Sequence, residues 1–185
     1  MKFFNHLIIV SQLLSYIYSQ PGTLISHNHK ITASNSDIQQ LVDLALGNNA
    51  PVALYNMSMY SIDYEIINPQ GQLDTLSGLV SFPINPTKIF PIASYQHGTT
   101  IEDDNVPSVT GLSISNQEVS LISMIMASTG FIIMLPDYAG LGSSEGYHPY
   151  IIAETYTPAI TNMIRAVKYL SSELNLNNSF MYNNQ

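Results

Sequence analysis

The sequence predicts an α/β fold in which an antiparallel hairpin leads into a mostly parallel sheet with crossover helices. Three observations predict it. Met57 to Ile67 alternates apolar and polar residues, Leu73 to Phe82 returns as a second strand, and Asn68-Pro69-Gln70-Gly71 between them is a turn signal. Two short apolar runs, Phe90 to Tyr95 and Phe131 to Leu135, read as strands buried on both faces. Helical periodicity lies between and after those runs, the pattern that gives right-handed crossovers and a parallel sheet.

Length and composition bound the alternatives. The 185 residues suffice for one domain with a sizeable core. The formal charge of -8, with only five Lys and Arg, argues against a nucleic-acid partner and mildly favours uncharged or cationic substrates. The absence of Cys excludes disulfides, thiolate metal sites and a Cys nucleophile.

The elements follow in order. Residues 1–19 read as a signal peptide: Met1-Lys2 is a positive start, Leu7-Ile8-Ile9-Val10 and Leu13-Leu14 an apolar middle, and Ser19 a small residue before a cut at Gln20 or Pro21. The chain is therefore expected to be secreted. An uncleaved membrane anchor is the alternative, although Asn5, His6, Ser11 and Gln12 interrupt the run and leave no stable membrane span. Residues 20–56 form an N-terminal extension, polar and irregular over 20–35, with a short helix after it. His27-Asn28-His29 reads as a solvated loop rather than a metal site, because no further ligand converges on it. Ser36-Asp37-Ile38-Gln39 resembles a capping box; Ile38, Leu41, Val42 and Ala45 then share a helical face, and Gly47 stops the helix.

After the hairpin, Pro83 and Pro86 end the second strand. A loop runs from Gly98 to about Ile114, where Glu102-Asp103-Asp104 reads as solvated because its spacing is not that of an EF-hand. Ser115-Asn116-Gln117-Glu118 is a capping box for a helix reaching Thr129, with Gly130 as its stop. The last helix starts at Thr157 with Pro158 in its first turn, or earlier near Ile152. It carries the stripe Ile160, Met163, Ile164, Val167, Leu170 and Leu174. Phe180-Met181-Tyr182 reads as the opening of another strand. Asn56-Met57-Ser58 and Asn177-Asn178-Ser179 are glycosylation triplets if the source is eukaryotic.

Two loops carry the chemistry. Tyr95-Gln96-His97-Gly98-Thr99-Thr100 ends one apolar run, and Pro136-Asp137-Tyr138-Ala139-Gly140-Leu141-Gly142, followed by His148-Pro149-Tyr150, ends the next. With Arg165-Ala166 on the following helix, these motifs resemble the α/β-hydrolase superfamily, in its secreted lipase/esterase-like branch, over roughly residues 57–182. The resemblance implies a cofactor-free serine hydrolase acting on carboxylic esters, acyl lipids or small esters, in lipid catabolism. It implies that His97, Gly98, Thr99 and Thr100 form the oxyanion loop, with the backbone N–H of Thr99 or Thr100 as half of the hole. Such fixed amide dipoles stabilise the negative oxygen of a tetrahedral intermediate without reorganising. Asp137, Tyr138 and His148 are pocket-loop candidates: Asp137 to bond loop backbone, Tyr138 to wall the pocket. No metal is implied.

The nucleophile is the missing part. Gly142-Ser143-Ser144-Glu145-Gly146 satisfies G-x-S-x-G, but Ser144 lacks the strand-to-helix elbow; the only His after it is His148, with Glu145 the only acid between them, so no triad in the order nucleophile, acid, His is completed. In the resembling family the elbow follows the strand opening at Phe180. Residues 57–185 therefore correspond to the N-terminal half of the fold, ending before the nucleophile elbow, with the triad absent and the chain inactive by itself. A secreted peptidase of the same fold and a non-catalytic binding protein remain the alternatives.

Overall fold

The computed structural model describes residues 20–100 and 102–176. The signal-peptide segment 1–19, the Asn177 triplet and the strand expected at Phe180 lie outside the described residues. Five strands form one sheet: β1 (Leu24–Ala33), β2 (Asn56–Ile67), β3 (Leu73–Ile84), β4 (Ile92–Ser94) and β5 (Ile132–Pro136). Four α-helices accompany them: α1 (Asn35–Leu46), α2 (Pro107–Thr110), α3 (Gln117–Thr129) and α4 (Ala153–Glu173).

The sheet order is β1-β2-β3-β5-β4. The class is α/β as the sequence predicts, but the sheet is mixed rather than mostly parallel. β1/β2, β2/β3 and β3/β5 are antiparallel, and only β4/β5 is parallel. One strand–helix–strand crossover, β4 to β5 through α2 and α3, lies among the described residues, so only one parallel pair is formed. The hairpin is in register from Asn56↔Ile84 to Ile67↔Leu73. β3 runs through Pro83, past the end of its pairing with β5 over Gly78–Ser81, where a missing donor is tolerated.

Residues 20–35 are not irregular. They supply β1, whose side chains are mostly exposed, so the segment shows no apolar alternation and is held by its ladder to β2. His27 and His29 therefore sit on a strand rather than in a loop. Both rings pack edge-on to Tyr60, and His27 Nε2 lies 3.1 Å from Glu173 Oε1 at the end of α4.

Strand alternation divides the core into two layers. Ile132 and Met134 of β5 join Ile62, Tyr64 and Ile66 of β2 and the buried stripe Ala159, Met163, Ala166, Val167 and Leu170 of α4. Ile133 and Leu135 point the other way, with Met57 and Met59, onto Ile38 and Val42 of α1 and Val119, Met124 and Ala127 of α3. Burial of Met163, Val167 and Leu170, at roughly 1.5–3 kcal/mol each, outweighs the roughly 3 kcal/mol cost of Pro158 inside α4. The helix takes the earlier of its two possible starts, with Ile152 as N-cap. The buried Tyr64 hydroxyl, its pKa raised well above the usual range by burial, donates to the Ala159 carbonyl at 2.9 Å and pins α4 to the sheet.

Helix starts shift slightly from expectation. Ser34, not Ser36, caps α1 by accepting from the Asp37 N–H, and only Ile38 and Val42 of the expected face are buried. Asn116 caps α3 by accepting from the Val119 N–H. β4 is half-buried, not buried on both faces, because it is the edge strand of the described sheet.

Candidate active-site cleft

The parallel pair brings two loops to the carboxyl ends of β4 and β5, where α/β sheets place their sites. Loop 95–100 continues β4, and Tyr95 N–H donates to the Met134 carbonyl. Loop 137–150 continues β5. Between them lies a cleft of about 270 Å³ lined by His97, Gly98, Thr99, Thr100, Tyr138 and His148, together with Gln96, Leu141, Tyr150 and Tyr156. Six of the seven oxyanion-loop and pocket-loop candidates line one cleft. Asp137 does not reach it.

Asp137 is fully buried behind the cleft. Its Oδ1 accepts from the Ser108 N–H at 2.9 Å and its Oδ2 from the Ser77 hydroxyl at 2.6 Å. Burial pushes its carboxyl above the usual aspartate range, and the Ser108 and Ser77 hydrogen bonds pull back against that. Ser77 Oγ also accepts the Ser143 N–H at 2.9 Å, and the Ser143 hydroxyl donates to Asp63 Oδ1 at 2.7 Å. The loop is thus bolted to β2 and β3. Two of its glycines are required: both have positive φ, and a Cβ at Gly140 would collide with the His148 backbone, one at Gly142 with Ser77 Oγ and Asp137 Oδ2.

Tyr138 adopts φ 77, an uncommon conformation for a bulky residue. That places its ring against His97, with centroids 4.6 Å apart, and edge-on to Tyr156 at 4.8 Å. Burial, then the neighbouring Tyr156, raises its phenol pKa well above the ordinary value. His148 Nδ1 lies 2.7 Å from the Ala139 carbonyl; a carbonyl can only accept, so Nδ1 carries the proton. The same logic protonates His97 Nδ1, 2.8 Å from the Gly98 carbonyl, while its Nε2 is buried with no hydrogen-bond partner among the described residues.

Ser144 has no elbow. It lies in the loop between β5 and α4, and its Oγ accepts the Gly140 N–H at 2.9 Å. No serine hydroxyl is hydrogen-bonded to a histidine among the described residues.

Four contributors are not among the site candidates read from the sequence, although Tyr150 stands in the His148-Pro149-Tyr150 motif. Glu118 caps nothing; its Oε1 accepts from the Tyr95 hydroxyl at 2.5 Å and from the Gly98 N–H at 3.3 Å. The Tyr150 hydroxyl donates to the Thr100 carbonyl and ties the two loops together. Tyr156 comes from the first turn of α4, ahead of the later start that the proline suggested. Ser77 had no signal, being one small polar residue in an apolar strand. A second, largely apolar cavity of about 500 Å³ lies between α1 and α3, lined by Leu41, Leu44, Leu112, Ile114, Leu121 and Met124 among others. Among the described residues no cluster of three or more His, Asp or Glu could hold a metal ion, and no helix is long and apolar enough to cross a membrane.

No family model and no curated protein matches the sequence. Solved structures do match the fold. A Legionella pneumophila protein carrying a provisional hydrolase assignment superposes with TM-score 0.74 at 30% identity over 84% of this chain and 41% of its own. A ligand-bound form of the rice cell wall degrading esterase LipA from Xanthomonas oryzae gives 0.75 at 21% identity over 87% and 41%. Candida antarctica lipase A gives 0.53 at 21% identity over 83% and 33%. The chain spans 41% or less of the length of these three structures. The fold is α/β-hydrolase-like.

Proposed function

We propose that this chain is the oxyanion-side half of a secreted serine hydrolase of the lipase/esterase type, cleaving carboxylic esters in lipid catabolism. The observation that carries the reading is the meeting of loop 97–100 with Tyr138 and His148 in one cleft. Within that loop the Gly98 N–H is taken by Glu118, whereas the N–H groups of Thr99 and Thr100 donate to no group among the described residues. Two uncommitted amides beside a cleft are what a developing oxyanion requires. Asp137 holds the opposite loop, Tyr138 walls the pocket, and Ser144 is structural. No cofactor enters the reading.

The nucleophile, the acid and the catalytic histidine are assigned to the part of the fold that the solved structures have and this chain does not span. Alone, the chain is inactive. Secretion belongs to the same proposal, with residues 1–19 as signal peptide. Asn56 is exposed, and its Oδ1 accepts the Asn35 N–H at 2.9 Å, an arrangement a glycan on Nδ2 would leave intact.

The test has two arms. Pure residues 20–185 are assayed with nitrophenyl esters and a fluorophosphonate label, and neither turnover nor labelling is expected. The source transcript is then read beyond the codon for Gln185. A Gly-x-Ser-x-Gly after the strand expected at Phe180, in a protein that the label modifies at that serine, is the expected result. Robust turnover by residues 20–185 that Ser144→Ala abolishes would sink the proposal. Peptide turnover without ester turnover would move the substrate to amides.

A further inference from the structure

We propose that Glu118 is a positioning residue that aims the oxyanion loop; the inference rests on the reading of that loop given above. The argument starts from Gly98. A glycine at the centre of a loop leaves the peptide planes on either side free to rotate, so their orientation must be set from outside. Two hydrogen bonds set it. The Gly98 N–H donates to Glu118 Oε1, which fixes the plane joining His97 to Gly98. The Gly98 carbonyl accepts from His97 Nδ1, which fixes the plane joining Gly98 to Thr99. In a trans peptide the N–H and C=O point in opposite directions. The Thr99 N–H is therefore turned away from the His97 Nδ1 that holds the Gly98 carbonyl. At the far end, the Tyr150 hydroxyl anchors the Thr100 carbonyl.

Glu118 is well placed for this task. It is the second residue of α3, where the helix dipole favours a carboxylate. Its Oε1 also accepts the Tyr95 hydroxyl at 2.5 Å, so one oxygen spans the loop from its first residue to Gly98. Asn116 supplies the cap of α3, so the Glu118 carboxylate is not needed for helix capping. Its other oxygen, Oε2, lies 3.6 Å from where a Cβ on Gly98 would stand, close enough to limit the loop's movement toward α3.

The experiment compares Glu118→Ala, Glu118→Gln and Tyr95→Phe with the wild-type chain by amide hydrogen exchange and 15N NMR. In Glu118→Ala the Gly98 amide is expected to exchange about fivefold faster, with the Thr99 and Thr100 signals shifted or broadened and the β2 and β3 amides unchanged. Glu118→Gln, whose amide oxygen still accepts, is expected to restore the wild-type pattern. In the nucleophile-bearing protein, Glu118→Ala is expected to lower kcat about tenfold at nearly constant KM, and Glu118→Gln to retain most of the rate. Unchanged exchange at Gly98, equal losses in Ala and Gln, or a change confined to KM would overturn the assignment. If the wild-type protein hydrolyses no ester, ester hydrolysis itself fails, and the exchange data still decide whether Glu118 aims the loop.

Discussion

The loop after β4 and the loop after β5 meet at one cleft but are held by different means. The β5 loop is bolted from beneath by a buried carboxylate, two serines and two glycines that admit no side chain. The β4 loop is held at its surface by one exposed carboxylate and one tyrosine from the opposite loop. Buried polar bonds, once satisfied, are costly to break, whereas exposed ones exchange readily with water. The cleft thus has a rigid wall and an adjustable lip.

The largest expected effect comes from pulling the bolt. Asp137→Ala leaves the Ser108 N–H and the Ser77 hydroxyl without their acceptor, together with a void, at a cost of about 4 kcal/mol by urea denaturation. Gly142→Ala is expected to cost about 3 kcal/mol, since it adds a Cβ at φ 61 against Ser77 and Asp137. Both should disorder the His148 ring in NMR spectra while leaving the Gly98 amide bound to Glu118.

Proton linkage sharpens the contrast. The folded protein holds Asp137 above its ordinary pKa, so it binds that proton more tightly than the unfolded chain does. Asp137 therefore contributes most stability in acid, below the unfolded value, and that contribution is lost as pH rises through the raised value. Urea midpoints across the acid-to-neutral range should show the wild type losing ground to Asp137→Asn as pH rises; a constant difference would contradict the linkage. On the lip, Glu118→Ala should cost under about 1 kcal/mol in global stability, because the carboxylate is exposed. The smallest change, Tyr138→Phe, should stay within about 0.5 kcal/mol, since the Tyr138 hydroxyl makes no hydrogen bond among the described residues. A loss comparable to that of Gly142→Ala would show that the phenol, not the ring, holds the wall.

Much of the scaffold was legible because its signals are local. The hairpin announced itself through alternation and the Asn68–Gly71 turn, α3 through its helical spacing and the Gly130 stop, and β5 through its continuous apolar run. β1 was not legible, because a strand exposed on both faces needs no apolar pattern; its ladder to β2 is a backbone property. The antiparallel pairings of β1 with β2 and of β3 with β5 were hidden for a similar reason, since pairing partners are chosen by topology rather than composition. At the site, motif recognition brought His97–Thr100, Tyr138 and His148 to one place. Glu118 was misread as half of a capping box because its local spacing fits one. Only the three-dimensional approach of Gly98 reveals its other use.

Pro158 lies five residues into α4, and it has no N–H to return to the Glu154 carbonyl. The first turn, Ala153–Thr157, is therefore stitched to the rest of α4 by one rung fewer than its neighbours. That turn carries Tyr156, whose ring leans on Tyr138 and His148. Fraying can thus stop at the proline and leave the buried stripe from Ala159 onward undisturbed. A residue usually regarded as a defect in a helix becomes a perforation here, along which one side of the cleft can tear open and reseal without loosening the core.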